Sequence, residues 1–304
     1  MRLTIGLPWY NAPEDSTFPL YMDHMLYYGA LAERSRWRSV LGHDEFMKRI
    51  GDISPIEQTH VDDESVMPTE EDWIRMGELE VMICNFSRTS LVGVARERIV
   101  EMAQDFKSDY LFWWDADMRF RHSTFLRLWR HQVPVVGALA FTAREPIHPV
   151  MYRIMEKWDP TNNMQMAVGS DIVFDYPRDQ LVGSEDVGGE LAIGGGVTLY
   201  DMRVFKQIPK PWFASTGCGE DWFFSHRCKN YKIKRYIDTA TKTQHKAHAP
   251  MWCDEEVYWR SREASRDSYV QQFGEAIPPV KDGKSMITKI FVDGDGPRVE
   301  EVAV

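Results

Sequence analysis

The sequence is poor in cysteine and in long apolar runs, and each shortage excludes a class of protein. Only four of the 304 residues are cysteines, and no two of them are spaced as C-x-x-C. This spacing argues against a zinc knuckle and a disulfide-bonded scaffold. The uncharged apolar runs, such as 133–141, are far shorter than the roughly 20 residues that a membrane helix needs. We therefore expect reduced thiols, no transmembrane span and no membrane partner.

An excess of positive charge is also missing. The chain carries 36 Lys and Arg residues against 46 Asp and Glu residues, which gives a net charge of −10. An acidic protein has no overall attraction for nucleic acid, so binding to a polyanion would need a local basic patch. Residues 1–8 contain too short an apolar run for a secretion signal, and we expect a cytoplasmic protein.

The sequence is instead rich in apolar and aromatic residues, in a pattern that alternates between strands and helices. Hydrophobic residues make up 43% of the chain and aromatic residues 12%, enough to offset the ordering entropy of folding. Apolar runs predict strands at 3–7, 81–86, 109–115, 133–141, 197–200 and 231–238, the last at a sheet edge. Helical spacing predicts helices at 17–31, 90–106 (with Ser90 as a cap candidate), 124–131, 220–228 and 255–273, before a hairpin at 287–296. This order predicts an α/β fold with a mostly parallel central sheet flanked by helices.

The pattern also suggests how the chain is divided. We assign residues 1–250 to the α/β domain, with a polar insertion at about 35–80, and residues 251–304 to a C-terminal helix and hairpin extension. Ligands of such a sheet bind at the carboxyl ends of its strands, so the chemistry is expected there.

The strongest local signal is Asp115-Ala116-Asp117, directly after the apolar run 110–114. Two carboxylates at i and i+2 on a chain that leaves a strand can converge on a divalent cation, which keeps positions open for phosphate oxygens. The other such triplet, 293–295, lies in the predicted hairpin turn, where Asp and Gly are ordinary turn formers. The position of the first triplet favours a functional role.

Further polar and glycine-rich elements follow in a set order. Arg88 and Arg96 flank the start of a predicted helix, and Gly194-Gly195-Gly196 precedes a strand; Gly219-Glu220-Asp221 opens a helix, and His245 lies beyond a strand. The stretches that carry the pattern are VARERIV (94–100), DYLFWWDADM (109–118), IGGGVTLY (193–200), GEDWFF (219–224) and the segment that ends at His245. Over residues 1–250 the chain resembles GT-A-fold glycosyltransferases, in particular the small soluble kind that bacteriophages often encode.

The resemblance implies a GT-A-like (Rossmann-like) fold and the metal-dependent transfer of a sugar from a nucleotide sugar, with a UDP-sugar as the favoured donor. Asp117, His245 and Asp115 would bind Mn²⁺ or Mg²⁺, and Asp115 would also hydrogen-bond the ribose or sugar of the donor. His248 is a nearby alternative to His245. The ion would neutralise the departing nucleoside diphosphate.

The Glu220-Asp221 pair is expected to serve catalysis. Asp221 is the candidate general base, which takes the proton of the acceptor hydroxyl in an inverting reaction, and Glu220 stands beside it. Alternatively, both acids stabilise the first turn of a helix. A retaining reaction, in which Asp221 positions the acceptor, is also left open.

Donor and acceptor contacts are expected from several loops. Gly195 and Gly196 would let the backbone approach the donor sugar, although a glycine run also makes a tight turn. Arg88 and Arg96 are candidates for the diphosphate, since a guanidinium fork suits phosphate oxygens. The residues expected at the nucleobase, or as an aromatic platform on the acceptor side, are Pro8, Tyr10, Asn85 and Trp212.

The acceptor is less well defined. The phage-type resemblance suggests a hydroxymethylated pyrimidine in DNA, reached in the host cytoplasm after the base is unstacked. A basic stretch that would face such DNA comprises Lys229, Lys232, Lys234, Arg235, Lys242 and Lys246, although lysines also keep edge strands soluble. Polysaccharide and protein acceptors are alternatives, and no oligomeric state is predicted.

Two other classes of function are also open. A sugar nucleotidyltransferase would need a glycine-rich, basic loop after the first strand, which residues 8–13 lack. A noncatalytic sugar- or protein-binding module would turn over no donor.

Overall fold

The computed structural model describes residues 1–8, 18–53, 68–86, 91–144, 147–159, 164–214, 219–246, 252–264, 280–281, 284–293 and 296–303. The helices are α1 (Phe18–Leu41), α2 (His43–Ile53), α3 (Glu70–Met76), α4 (Val92–Asp105), α5 (Thr124–Arg130), α6 (Val204–Gln207), α7 (Glu220–Asn230) and α8 (Glu255–Ala264). The strands up to the glycine run are β1 (Arg2–Leu7), β2 (Glu80–Asn85), β3 (Tyr110–Trp114), β4 (Met118–Arg119), β5 (Val135–Leu139), β6 (Met151–Asp159), β7 (Met164–Ile172), β8 (Leu181–Val182) and β9 (Leu191–Ile193). The strands after it are β10 (Val197–Asp201), β11 (Tyr236–Lys242), β12 (Gln244–Lys246), β13 (Trp252–Cys253), β14 (Val280–Lys281), β15 (Lys284–Asp293) and β16 (Gly296–Ala303).

Seven strands form the central sheet, in the order β2-β1-β3-β10-β5-β11-β8. Strands β2, β1, β3, β5 and β11 run in one direction, whereas β10 and β8 run against their neighbours. This arrangement confirms the predicted α/β class, a mostly parallel central sheet flanked by helices, and is consistent with the GT-A-like fold that the resemblance implies.

The alternation of side chains along the strands divides the interior into two cores. On β3, Trp113 packs in a core that includes Ile99 of α4 and Phe224 of α7. Its neighbours Phe112 and Trp114 point into the opposite core, which α1 and α5 cover. Because successive side chains of a strand face opposite sides, one aromatic run serves both faces of the sheet. The two tryptophans are fully buried, as an assignment to the core predicts.

Three further sheets have three strands each: β13-β12-β4, β14-β15-β16 and β7-β6-β9. The predicted C-terminal hairpin is confirmed, with Asp293 opposite Gly296. The β6-β7 hairpin was not predicted from the sequence, because its two-residue alternation is interrupted by a bulge between Met155 and Glu156. None of the described helices is both long and apolar enough to cross a membrane.

Several predicted boundaries need correction. The strand predicted at 231–238 begins at Tyr236 and is not an edge, since β5 and the short β8 pair with its two sides. The helix predicted at 90–106 has Leu91 at its N-cap position, and Ser90 lies outside the described residues. The first helix continues to Leu41.

The segments at 35–80 and 251–304 are only partly described. Helices α2 and α3 lie within the first, and α8 begins at Glu255 as predicted in the second. The part of the predicted last helix beyond Ala264 lies outside the described residues. The assignment of these segments as an insertion and an extension stays a prediction.

Candidate active site

Strand β3 delivers the D-x-D triplet to the carboxyl edge of the sheet. The backbone N–H of Asp115 donates to the carbonyl of Gly196 at 2.8 Å, so the triplet starts where the strand pairing ends. The N–H of Met118 then donates to the carbonyl of Asp115 at 3.1 Å, which closes a turn around Asp117. The predicted position of the triplet, directly after a buried strand, is confirmed.

The triplet and the late histidine meet although they are far apart in sequence. Strand β4 pairs with β12, which places Met118 opposite His245. The Nε2 of His245 lies 3.1 Å from Oδ2 of Asp117, and its Nδ1 lies 2.7 Å from the carbonyl oxygen of Phe141. Because a carbonyl oxygen only accepts, Nδ1 carries the hydrogen in the second contact, and Nε2 is the nitrogen that faces the carboxylate.

The two side chains shift each other's pKa. Burial acts to raise the pKa of Asp117, but the hydrogen bond and charge of His245 outweigh it, and that pKa lies below its ordinary value. Burial acts to lower the pKa of His245, and Asp117 outweighs it in the other direction, so the pKa of His245 is raised. The pair is therefore held together by charge, while the Asp117 side chain remains 53% exposed.

Arg96 joins this part of the site to the Glu220-Asp221 pair. It extends from α4, is 2% exposed, and its Nη2 lies 3.0 Å from Oδ2 and 3.3 Å from Oδ1 of Asp115. Its Nη1 lies 3.5 Å from Glu220 and forms a close ion pair with Asp221. Burial raises the pKa of Asp115 to about 6, and the charge of Arg96 opposes that rise.

The glycine run lies against the same cluster. The N–H of Gly195 donates to Oδ2 of Asp221 at 2.8 Å. A Cβ on Gly195 would lie 2.5 Å from Oδ1 of Asp221 and 2.7 Å from Cζ of Arg96, both too close for a real atom. A Cβ on Gly196 would lie 3.3 Å from Met118, a tight but smaller overlap. The glycine at 195 is therefore required by the close approach of charged side chains.

Other predicted donor residues lie at the same edge or outside the described residues. Pro8 is buried directly after β1, and Asn85 is exposed at the last position of β2. Strands β1 and β2 are neighbours with Leu7 opposite Asn85, so both residues lie where the two strands end. Tyr10 and Arg88 lie outside the described residues, as does His248.

Trp212 lies in the core. It is 3% exposed, and its indole N–H donates to the carbonyl of Ile208 at 2.7 Å. The backbone N–H of Phe213 donates to Glu97 at 2.6 Å, and the N–H of Trp212 donates to the same carboxylate oxygen. The structure thus ties this segment to α4 beside Arg96 and leaves little of the Trp212 ring exposed for an acceptor.

The basic stretch is largely paired with carboxylates. The pairs are Lys229 with Glu156, Lys234 with Glu185 at 3.8 Å, Arg235 with Glu190 at 2.7 Å, and Lys242 with Glu255 at 2.6 Å. Paired side chains of both signs give a surface with little net charge, rather than a cationic groove.

Two side chains of the site could bind a divalent cation whose remaining coordination positions are filled by the oxygens of a ligand. In the part of the chain that the structure describes, no group of three or more His, Cys, Asp or Glu side chains is arranged to hold a metal ion. Asp117 and His245 nevertheless present a carboxylate oxygen and an imidazole nitrogen side by side. The carboxylate suits either Mn²⁺ or Mg²⁺, whereas the imidazole favours the transition-metal ion Mn²⁺. The hydrogen bond from His245 to a carbonyl is the support that metal-ligating histidines usually have. These residues fit the expected ion.

Sequence reasoning missed the central place of Arg96 and the support from Phe141. A buried arginine inside an amphipathic helix has the same local pattern as a solvated one, and a backbone carbonyl leaves no signal at all. The one available hint was position, because Ala95 and Ile99 mark the buried face of α4 on which Arg96 also lies.

No family profile and no curated protein matches the chain. Among solved structures, A197 from STIV gives a TM-score of 0.44 at 15% sequence identity, over 84% of this chain and 91% of that chain. GalNAc-T7, crystallised with UDP, GalNAc and Mn²⁺, gives a TM-score of 0.35 at 16% identity, over 73% of this chain and 44% of that chain. The chain thus spans less than half of the GalNAc-T7 chain. Neither likeness is close enough to support an inference about function.

Proposed function

We propose that this chain is a metal-dependent glycosyltransferase that moves a sugar from a nucleotide sugar, with a UDP-sugar as the favoured donor, to an acceptor hydroxyl. The observation that carries the proposal is that Asp117 and His245, which can hold a cation, share one site with Asp221, a carboxylate fixed by a backbone N–H. Arg96 bridges the two halves. A site for the leaving diphosphate and a base for the incoming hydroxyl are the two groups that sugar transfer needs.

The first half of the site would serve the departing nucleoside diphosphate. Asp117 and His245 would hold Mn²⁺ or Mg²⁺, and Asp115, two residues before Asp117, would bind the ion or the sugar hydroxyls of the donor. The ion supplies Lewis-acid stabilisation of the negative charge that develops on the diphosphate. Pro8 and Asn85, at the ends of β1 and β2, would border the nucleobase.

The second half would serve the acceptor. Asp221 lies in the first turn of α7, where the helix dipole stabilises the ionised carboxylate that a general base must present. One oxygen is held by the N–H of Gly195 and the other by Arg96. We favour an inverting reaction, in which Asp221 takes the proton of the attacking hydroxyl.

The surface charges bear on the choice of acceptor. Because most of the basic stretch is paired with carboxylates, it gives a DNA backbone little to bind. A hydroxymethylated pyrimidine in phage DNA therefore stays a prediction without support from this surface. A carbohydrate or protein hydroxyl needs no cationic groove, and we propose one of these as the acceptor.

A thermal-shift panel tests the donor half first. UDP, GDP, CDP, ADP and dTDP are each added with and without Mn²⁺ to the wild type and to Asp117→Asn, with Asp105→Asn, an exposed aspartate at the end of α4, as the matched control. A bound ligand at about a hundredfold excess over its dissociation constant adds about 2.7 kcal/mol of apparent stability. We expect one diphosphate to give a Mn²⁺-dependent shift in the wild type and control only.

The panel is followed by incubation of the matching nucleotide sugar with Mn²⁺ and measurement of nucleoside diphosphate release. Binding with release supports the glycosyltransferase. Binding without release, with or without carbohydrate and protein acceptors, would point to the noncatalytic module, and no shift from any nucleotide would contradict the proposal.

A further inference from the structure

The environment of Arg96 differs from that of a phosphate-binding arginine. Its side chain is 2% exposed, and its guanidinium lies over the neighbouring rings of Trp113 and Phe213, with Cζ at 5.3 Å and 5.9 Å from the two ring centroids. The two terminal nitrogens are directed at protein carboxylates. A diphosphate that reached this guanidinium would have to displace one of these carboxylates.

The carboxylates that Arg96 joins come from different parts of the chain. Asp115 follows β3 and binds Nη2, whereas Asp221 opens α7 and binds Nη1. A guanidinium is planar and rigid, so two carboxylates bound at its two ends have a fixed separation and orientation. Asp221 is in addition held through its other oxygen by the N–H of Gly195.

We infer that Arg96 is a positioning residue. It holds the carboxylates of Asp115 and Asp221 at a fixed distance and orientation relative to each other, and it does not bind the diphosphate. This inference rests on the proposed function for the roles of the two aspartates. It links the donor half of the site to the acceptor half through one buried charge. It also explains the glycine at 195, because any Cβ there would meet both Arg96 and Asp221.

The decisive variant is Arg96→Lys, which keeps the charge but cannot hold two carboxylates in a fixed geometry. The matched control is Arg98→Lys on the same helix, where the side chain is exposed and pairs with Glu101. A misplacement of about 1 Å in a reacting group can lower the rate on the order of 10²-fold. We expect Arg96→Lys to lower kcat of nucleotide-sugar turnover by about that factor. The Kd for UDP with Mn²⁺ should rise by less than about tenfold, since Asp117 and His245 keep their contacts, and the control should match the wild type.

Two kinetic results would overturn the inference. One is a Kd for UDP raised about tenfold or more with kcat unchanged, which identifies Arg96 as a phosphate ligand. The other is a wild-type kcat together with a wild-type Kd, which shows that the relative position of the two aspartates does not depend on the guanidinium.

A second measurement needs no donor and covers the case in which Arg96→Lys folds poorly. Urea unfolding is measured for Arg96→Lys, Asp221→Asn and the double variant. If Arg96 holds Asp221, the double variant loses less stability than the sum of the single losses; additive losses overturn the inference. This cycle also separates the two proposals, since a chain that binds no nucleotide diphosphate would refute the glycosyltransferase while leaving the ion cluster measurable.

Discussion

Arg96 and Arg235 are both almost fully buried, yet they are satisfied in different ways. Arg235, 1% exposed, donates from Nε to the carbonyl of Leu191 at 2.7 Å, from Nη1 to that of Ile233 at 2.8 Å, and from Nη2 to Glu190 at 2.7 Å. It thus has one anionic partner and two neutral ones. Arg96 has three anionic partners and makes no hydrogen bond to a backbone carbonyl among the described residues.

We interpret the difference as one between a charge that serves the fold and a charge that serves the proposed site. Arg235 neutralises a single carboxylate and ties the chain before β11 to β9, so its surroundings are close to electrically balanced. Three acids contact Arg96, namely Asp115, Glu220 and Asp221, and together they carry more negative charge than its guanidinium neutralises. Like carboxylates crowded together destabilise a fold unless a cation joins them. An excess of partly buried acid is costly for stability and is therefore the better indicator of a binding or catalytic site.

The largest effect is expected at Asp221. Asp221→Asn keeps an acceptor for the N–H of Gly195 but cannot take a proton, so kcat for transfer should fall by about 10²–10⁴-fold. Nucleoside diphosphate binding with Mn²⁺, measured by calorimetry, should stay at the wild-type value. An equal loss of binding and transfer would mean that Asp221 belongs to the donor half of the site.

A second variant perturbs the same cluster without removing a charge. Gly195→Ala places a methyl group 2.5 Å from Oδ1 of Asp221 and 2.7 Å from Cζ of Arg96, and overpacking of this kind costs about 1–3 kcal/mol. We expect a lower midpoint of urea unfolding and a loss of turnover in the fraction that folds. Gly29→Ala in α1 is the matched control, since its Cβ would meet nothing within 4 Å. It should lower neither the urea midpoint nor the turnover.

A variant of Arg235 should give the opposite result, a loss of stability without a loss of turnover. Arg235→Met leaves the buried carbonyls of Leu191 and Ile233 without their donor, which should lower the free energy of unfolding by about 1–3 kcal/mol. Because no acid of the candidate site contacts this residue in the described part of the chain, kcat should stay unchanged. A fall in kcat similar to that of Arg96→Lys would remove the distinction between the two arginines.

The smallest expected effect concerns a one-to-one ion pair at α3. Asp72 completes a capping box with Thr69 and lies 2.7 Å from Arg130. Burial acts to raise the pKa of Asp72, but the bonds from Arg130 and Thr69 outweigh it, and the pKa is lowered. A lowered folded-state pKa gives stability that is present above the unfolded pKa of about 3.9 and is lost as the pH falls through the folded value.

Asp72→Asn should therefore lower the free energy of unfolding near neutral pH by about 1–2 kcal/mol. The gap between variant and wild type should close below about pH 4. Urea unfolding at a series of pH values measures this; a gap that persists at acid pH would show that the amide fails for steric reasons.

The sequence allowed the architecture to be predicted further than the site. Buried runs such as residues 3–7 and Tyr110–Trp114 are readily recognised, because a strand covered on both faces is apolar at nearly every position. The placement of Asp115 at the end of β3 followed from that run alone. The meeting of Asp117 and His245 depends on the pairing of β4 with β12, two short strands that leave almost no periodic signal.

The remaining differences have physical causes. Arginine is usually solvated, which favours a phosphate-facing role for Arg96 in the sequence, and only the packing of α4 against β1 and β2 of the sheet shows that it is buried. Trp212 was assigned to the acceptor because exposed and buried tryptophans have the same sequence signature. The reversed strand β10 was not distinguished from a parallel one, since a fully buried strand reads alike in both directions.

The reversed direction of β10 has a consequence for how such a site can change. Because β10 runs against β3, its first residue rather than its last lies at the carboxyl edge of the sheet, and the turn at Gly195 is covalently continuous with a strand buried at every position. If β10 slipped by one residue, Thr198 would leave its place opposite Trp113 and the two faces of the strand would be exchanged. A change in the length of this turn is therefore tolerated only if the turn itself absorbs it and leaves the strand in place.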